Sequence, residues 1–265
     1  SDIFSSKESF DYKKFDLSSE SYKELIDWSR PELIIHCAAL TNGNFCEKNY
    51  KDAFNINSYS IKNLIDFSGD QVKIIYISTD AVFSSKLHMA VEKDCTAPDN
   101  VYGKSKELGE FFLINSGRDY LVLRTTIVGN NINNSNGGGF VEWILKSVKN
   151  KQKVSLFSDV LFNPISIWDF IEEIIFLIKS NIFYNNIFHL CGIESVTKHD
   201  FGMELIKEYK LNENFIIESK ITQYKDRSKR STDQTMDCSK YINLTKRKLP
   251  NLSETIKSIK LNYNV

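Results

Sequence analysis

The stretch IIYISTDAVF (residues 74–83), followed after a polar insert by PDNVYGKSKELGE (98–110), decides how the rest of the chain is read. An apolar run of strand length that ends in Ser78-Thr79-Asp80 describes a buried strand delivering hydroxyls to its carboxyl end. Pro98 and Asn100 then punctuate the chain, and a helical pattern carries Tyr102 and Lys106 at i and i+4. That spacing puts a phenol and an ammonium on one helix face. A lysine charge beside a tyrosine favours the phenolate and lowers the tyrosine pKa. A phenol so tuned can act as an acid or base near neutral pH. Tyr-x-x-x-Lys alone is frequent on ordinary helix surfaces; the strand ending in Ser-Thr-Asp gives it weight.

Working outward, LIIHCAA (33–39) and YLVLRTTIV (120–128) are continuous apolar runs of the same kind. Ser21-x-x-Glu24 reads as a capping box opening a helix to about Trp28, stopped by Pro31. Further helices are expected from Tyr50 to Phe67 and from Phe140 to Lys149, with TNGNFCEKN (41–49) as a loop. Strands alternating with helices predict an α/β fold built on a doubly wound parallel sheet. Beyond Lys151 the rhythm loosens. VSLF, NPISI, NIFHL and NFIIE read as short strands, interleaved with helices near 168–180, 198–209, 237–244 and 252–262. Residues 1–150 are therefore expected to form one domain. Residues 151–265 are expected to form a smaller α/β lobe, interleaved with it and covering the carboxyl edge of the sheet.

Lys+Arg and Asp+Glu balance at 34 each, so no global field selects nucleic acid or an anionic membrane. No apolar run approaches the ~20 residues of a membrane span, and SDIFSSKESF has no signal-peptide pattern. Five cysteines, odd in number and without C-x-x-C, suit reduced thiols in a cytoplasm. Four scattered histidines lack ligand spacing, so no metal site is expected.

STDAVF, the P-x-N-x-Y-G-x-S-K-x-x-G-E run and the earlier HCAALT resemble the extended short-chain dehydrogenase/reductases, and within them the dTDP-4-dehydrorhamnose reductase group. The resemblance runs from about Asp16 to the C-terminus. It implies a Rossmann-like NAD(P)-binding domain with a substrate lobe, NADPH or NADH as cofactor, and a possible homodimer. It also implies reduction of a nucleotide-linked 4-keto-6-deoxy sugar for deoxysugar or surface-polysaccharide synthesis. In that family the residue matching Tyr102 gives a proton to the ketone oxygen. The one matching Lys106 depresses the tyrosine pKa and binds the nicotinamide ribose, and the one matching Thr79 orients the carbonyl. Ser78 is implied on the cofactor side. Asp80 bonds substrate hydroxyls or caps a turn.

Ala38, Ala39 and Leu40 match positions where the cofactor approaches the backbone, although alanines there equally suit helix–sheet packing. Asp16 and Leu17 match the position beside the adenine, or form a turn before a helix. Asn57 matches a helix asparagine whose structural explanation is a bond to the neighbouring strand backbone. Asn136-Gly137-Gly138-Gly139 could cradle a diphosphate or be a plain loop. Arg230 matches the arginine of an Arg-Pro pair, with Ser231 in place of the proline; Arg227 or Lys229 could serve instead. Asn163-Pro164-Ile165-Ser166 resembles a turn on the substrate side of the cleft. Ala81 stands where the family usually has tyrosine, and Ile127 where the rhamnose reductases have tryptophan, so both remove aromatic area from a sugar site.

A dinucleotide fold normally opens with a strand, a Gly-rich turn and a helix, and no G-x-x-G-x-x-G occurs here. Either that unit lies outside the given sequence or cofactor binding has been lost; the remaining positions favour the former. Two other functions stay open. One is an NAD-dependent epimerase or dehydratase; Ala81 after Asp80 argues against the dehydratase. The other is a non-catalytic regulatory subunit of the kind known for methionine adenosyltransferase.

Overall fold

The computed structural model describes residues 11–18, 22–129, 139–224 and 231–263. In chain order α1 (Lys23–Ser29) leads to β1 (Leu33–His36), α2 (Gly43–Lys48), α3 (Tyr50–Phe54) and α4 (Ser60–Phe67). Then come β2 (Lys73–Thr79), α5 (Val101–Ile114), β3 (Tyr120–Thr125), β4 (Ile127–Val128), α6 (Phe140–Lys149), β5 (Val154–Phe157), β6 (Leu161–Phe162), β7 (Ile165–Ser166) and α7 (Ile167–Ser180). The chain continues through β8 (Asn186–His189), β9 (Val196–Thr197), α8 (Lys198–Glu208), β10 (Ile216–Ser219), β11 (Asp233–Gln234), α9 (Ser239–Thr245) and α10 (Leu252–Asn262).

The main sheet has the order β1-β2-β3-β8, and its pairs are parallel. Side chains alternate across a strand, and both faces are covered here. Ile74, Tyr76 and Val122 pack with Tyr22, Leu25 of α1, Ile61 and Leu64 of α4, and Leu113 of α5. Ile75, Leu121 and Leu123 point the other way, onto Phe170, Ile174 and Leu177 of α7 and Tyr241 of α9. This is the doubly wound arrangement that the unbroken apolar runs imply. Burial of each such side chain contributes about 1.5–3 kcal/mol. A third core, with Val141, Leu145, Leu156, Phe162, Phe201 and Ile259, belongs to the later segment.

The structure corrects four readings. NIFHL was expected in the smaller lobe, but β8 joins the main sheet beside β3, with Leu123 opposite Phe188. Residues 41–49 hold α2, capped by Asn42, whose side chain accepts from the Phe45 N–H at 3.0 Å. The run 120–128 breaks at Thr126, where β4 turns away to pair with β7. The helix expected from Tyr50 to Phe67 widens into a π-turn at Asn55–Tyr59, between α3 and α4. Ser21 of the expected capping box lies outside the described residues.

The end of α4 is held by a residue from across the fold. The Arg118 guanidinium donates to the carbonyls of Gly69, Ile65 (2.6 Å) and Ser68 (2.7 Å), satisfying acceptors that a helix end leaves open. No helix among the described residues is long and apolar enough to cross a membrane.

Candidate active site

Asn100 caps α5, its side chain accepting from the Gly103 N–H at 2.8 Å. Gly103 lets the helix start against the turn after β2, because a Cβ there would lie 2.1 Å from the Ala81 carbonyl oxygen. The close approach sets Tyr102 beside the end of β2. The Thr79 hydroxyl donates to Asp80 Oδ1 (2.8 Å) and accepts from the Ala81 N–H (3.2 Å). It also stands against the Tyr102 phenol. Thr126 donates to Asp80 Oδ2 at 3.1 Å. Burial pushes the Asp80 carboxyl up, opposed by Thr79, Lys198 and Thr126.

Lys106 is only 2% exposed, and its ammonium lies 3.8 Å over the Tyr76 ring. Burial lowers its pKa to about 7, opposed by Glu110 and Cys37. The Tyr102 phenol, in turn, is pushed well above its ordinary range by burial, with Asp80 and Cys46 adding to the rise. Lys106 is not among the leading influences on Tyr102 here. In this structure the amine meets the face of Tyr76, and burial sets the phenol.

Ser78 points to the same side of the sheet as Tyr76. Its hydroxyl donates to Glu110 Oε1 at 2.5 Å, so any contact of Ser78 with a cofactor falls to its backbone. Asn57, inside the π-turn, clamps Leu40. Its Oδ1 accepts from the Leu40 N–H (2.8 Å), and its Nδ2 donates to the Leu40 carbonyl (3.0 Å) and to Ser105 Oγ (2.9 Å). Ala38 and Ala39 lie just before that clamp, past the carboxyl end of β1. Leu17 and Ala38 share the wall of a groove of about 290 Å³ along β1. Asp16 accepts from the Ser18 N–H (2.9 Å) and hydroxyl (2.8 Å), which hold its carboxyl below the usual range.

Asp80, Ala81, Asn100 and Tyr102 open onto a cleft of about 750 Å³ whose other wall is Phe140, Trp143, Phe157, Lys198 and Tyr224. These lobe residues carry no motif, and the sequence reading missed them. Lys198, at the first turn of α8, lies 3.2 Å over the Phe162 ring. Thr126 was missed as well, although its place directly after β3 is the kind of position where ligands bind. Ile127 is 37% exposed on β4, paired with Ile165, and is not among the residues lining this cleft. Arg230 and residues 136–138 lie outside the described residues. Among the described residues no group of three or more His, Cys, Asp or Glu side chains is placed to hold a metal ion.

The arrangement offers a protonated phenol and a carboxyl on one wall of a cleft large enough for a small molecule, with the Thr79 hydroxyl against both. The sequence of the family described as RmlD substrate binding domain matches residues 6–264. A Haloferax volcanii protein named Probable low-salt glycan biosynthesis reductase Agl14 is 30% identical over 79% of this chain and 70% of its own length. The dTDP-4-dehydrorhamnose reductase of Aggregatibacter actinomycetemcomitans is 26% identical over 87% of this chain and 81% of its own. The fold is that of the dTDP-4-dehydrorhamnose reductase of Bacillus anthracis, solved in complex with NADP. That structure has a TM-score of 0.84 at 23% identity, covering 94% of this chain and 87% of the other. With a match from end to end of the described fold and a related protein at 30% identity, this chain belongs to the RmlD substrate binding domain family.

Proposed function

We propose that the protein is an NAD(P)H-dependent reductase of a nucleotide-linked 4-keto-6-deoxy sugar, serving deoxysugar or surface-polysaccharide synthesis in the cytoplasm. The observation that carries this reading is the meeting of Tyr102 and Asp80 on one wall of the cleft, with Thr79 bonded to Asp80 and set against the phenol, in a chain of this family. Residues 1–150 would hold the cofactor, and residues 151–265 would supply the facing wall of the cleft.

The residues present fit a nicotinamide cofactor. Small side chains at Ala38 and Ala39 leave the backbone open to close approach, and Leu17 lines the groove that begins there. Asp16, Leu17, Ala38, Ala39, Leu40, the Ser78 backbone and Lys106 would hold it. When bound, it supplies the hydride that reduces the ketone carbon. Tyr102 supplies the proton. Its raised pKa keeps the phenol protonated at neutral pH, as a donor to a developing alkoxide must be. Thr79 spends its own hydrogen on Asp80, which leaves its oxygen to accept from a hydroxyl beside it. Asp80 can then take bonds from sugar hydroxyls as well as from Thr126. The free cysteines Cys37, Cys46, Cys95, Cys191 and Cys238 suit a reducing compartment.

The test is consumption of NADPH and NADH by the full-length protein with dTDP-linked 4-keto-6-deoxy sugars. Turnover is expected, with Tyr102→Phe lowering kcat by about 100-fold or more while the melting temperature stays close to the parent. Absence of turnover with any keto-sugar nucleotide, or a Tyr102→Phe protein as active as the parent, overturns the reading.

A further inference from the structure

Lys106 poses a problem that the proposed reaction does not solve. An ammonium 2% exposed has lost nearly all its water, and a charge so placed needs a partner of opposite sign. Ionisable groups on α5 and on the sheet beneath it surround the ammonium, and the Asp80 carboxyl lies beyond Tyr102 in the turn after β2. On α5 itself they are Tyr102 and Glu110. From the end of β1 and the residue after it they are His36, kept neutral by a pKa lowered to about 3, and Cys37, whose thiol is pushed up by burial. From β2 comes Tyr76, also raised by burial. From β3 comes Arg124, which reaches the site through Glu110. Of these, Glu110 does most to favour the charged amine.

The geometry of Glu110 is fixed. Tyr102, Lys106 and Glu110 follow at i, i+4 and i+8, so one face of α5 carries all three. That face lies along β2, with Tyr102 at Thr79, Lys106 at Tyr76 and Glu110 at Ser78. The carboxylate receives Arg124 Nε (3.0 and 3.2 Å), Arg124 Nη2 (2.7 Å) and Ser78 Oγ (2.5 Å). Both partners of the ion pair are 4% exposed at their side chains. A bidentate guanidinium fixes a carboxylate in plane as well as in place.

We propose that Glu110 is a positioning residue. Its carboxylate, locked by Arg124 and Ser78, keeps the Lys106 ammonium charged and seated over Tyr76, ready for the cofactor-facing role given to it above. The proposal deepens the reductase reading and rests on it for that role. The electrostatic part stands on this chain alone, and Glu110 is the largest influence opposing the loss of the Lys106 proton. The Arg124 charge is of the wrong sign for this, so the effect belongs to the carboxylate and not to the ion pair as a whole.

The test reads Lys106 directly. In full-length protein labelled with [15N]lysine, the Nζ resonance absent from Lys106→Met is followed against pH. The parent titrates near neutrality. Glu110→Gln lowers the midpoint by about one pH unit or more, and the high-pH limb of kcat/KM for the cofactor moves down with it. Should Glu110→Gln fail to fold, Glu110→Gln with Arg124→Met removes both partners of the buried pair, a change such pairs tolerate. Measured against Arg124→Met alone, it predicts the same downward shift, since the Arg124 charge is then absent from both proteins. Glu110→Asp, which keeps the charge, restores most of the midpoint. A midpoint unmoved in a folded Glu110→Gln, or in the double variant relative to Arg124→Met, overturns the proposal, even if the melting temperature falls, since that is the signature of packing alone. A midpoint that moves in a protein without turnover on any keto-sugar upholds the electrostatic role and refutes only the reductase reading.

Discussion

Replacing Gly109 by alanine tests whether the contact between α5 and the π-turn is as close as the structure makes it. A Cβ at Gly109 would lie 2.4 Å from the Tyr76 hydroxyl and 2.8 Å from the Asn57 carbonyl oxygen. The Tyr76 hydroxyl donates to that same carbonyl at 2.6 Å, and Tyr76 is fully buried. The added methyl must therefore break this bond and push the Tyr76 ring aside. Overpacking of this kind costs about 1–3 kcal/mol, and a buried acceptor left without its donor costs about 1–3 kcal/mol more. Alanine recovers about 1 kcal/mol of helix propensity over glycine, so the net loss is roughly 3 kcal/mol. Gly69→Ala is the control, since nothing lies within 4 Å of a Cβ there; it is neutral or stabilises by about 0.4–1 kcal/mol. Urea unfolding followed by circular dichroism measures both. The mechanism adds a double-mutant prediction: Tyr76→Phe removes the colliding oxygen, so Gly109→Ala costs at least about 1 kcal/mol less in that background. A Gly109→Ala protein within about 0.5 kcal/mol of the parent, or strict additivity with Tyr76→Phe, refutes the reasoning.

Two further outcomes follow from buried groups. His36 donates from Nε2 to Ser60, which itself donates to the Ile56 carbonyl, and burial lowers its pKa from 6.5 to about 3; His189 is lowered likewise. The unfolded chain binds these protons below pH 6.5 while the native state refuses them, so this stability is present above pH 6.5 and lost as pH falls toward 3. Between pH 6.5 and 5 each histidine removes about 2 kcal/mol, and His36→Gln unfolded by urea at both pH values shows a drop smaller by about that amount. Arg118→Ala leaves the Ile65, Ser68 and Gly69 carbonyls without their donor and costs about 2–4 kcal/mol by the same method. Arg118→Lys recovers less than half, because one ammonium lacks the guanidinium fork.

The strands of the main sheet were legible because a strand covered on both faces needs an unbroken apolar run, and residues 74–79 and 120–125 have one. The start of α5 was legible because Pro98 and Asn100 mark it. Sheet membership was not: NIFHL has the composition of any short strand, and its partner β3 lies far upstream. The helix α2 was hidden because Gly43 and Asn44 mask the capping role of Asn42. The spacing of Tyr102 and Lys106 fixed the face they share but not which neighbour the amine meets. That is decided by Tyr76, whose ring fills the space beneath the helix. The lobe wall of the cleft was illegible for a related reason. Phe140, Trp143, Lys198 and Tyr224 converge only through tertiary packing, and each alone reads as ordinary surface or core.

The wide turn at Asn55–Tyr59 gives this helix a capacity that an ordinary α-helix lacks. One residue can be deleted there and the backbone will still close into regular turns. The deletion would swing Tyr50–Phe54 by about 100° relative to Ser60–Phe67, carrying Asn57 away from the Leu40 backbone it grips. The segment can thus hold a regular hydrogen-bond ladder or its grip on the end of β1, and this sequence keeps the grip.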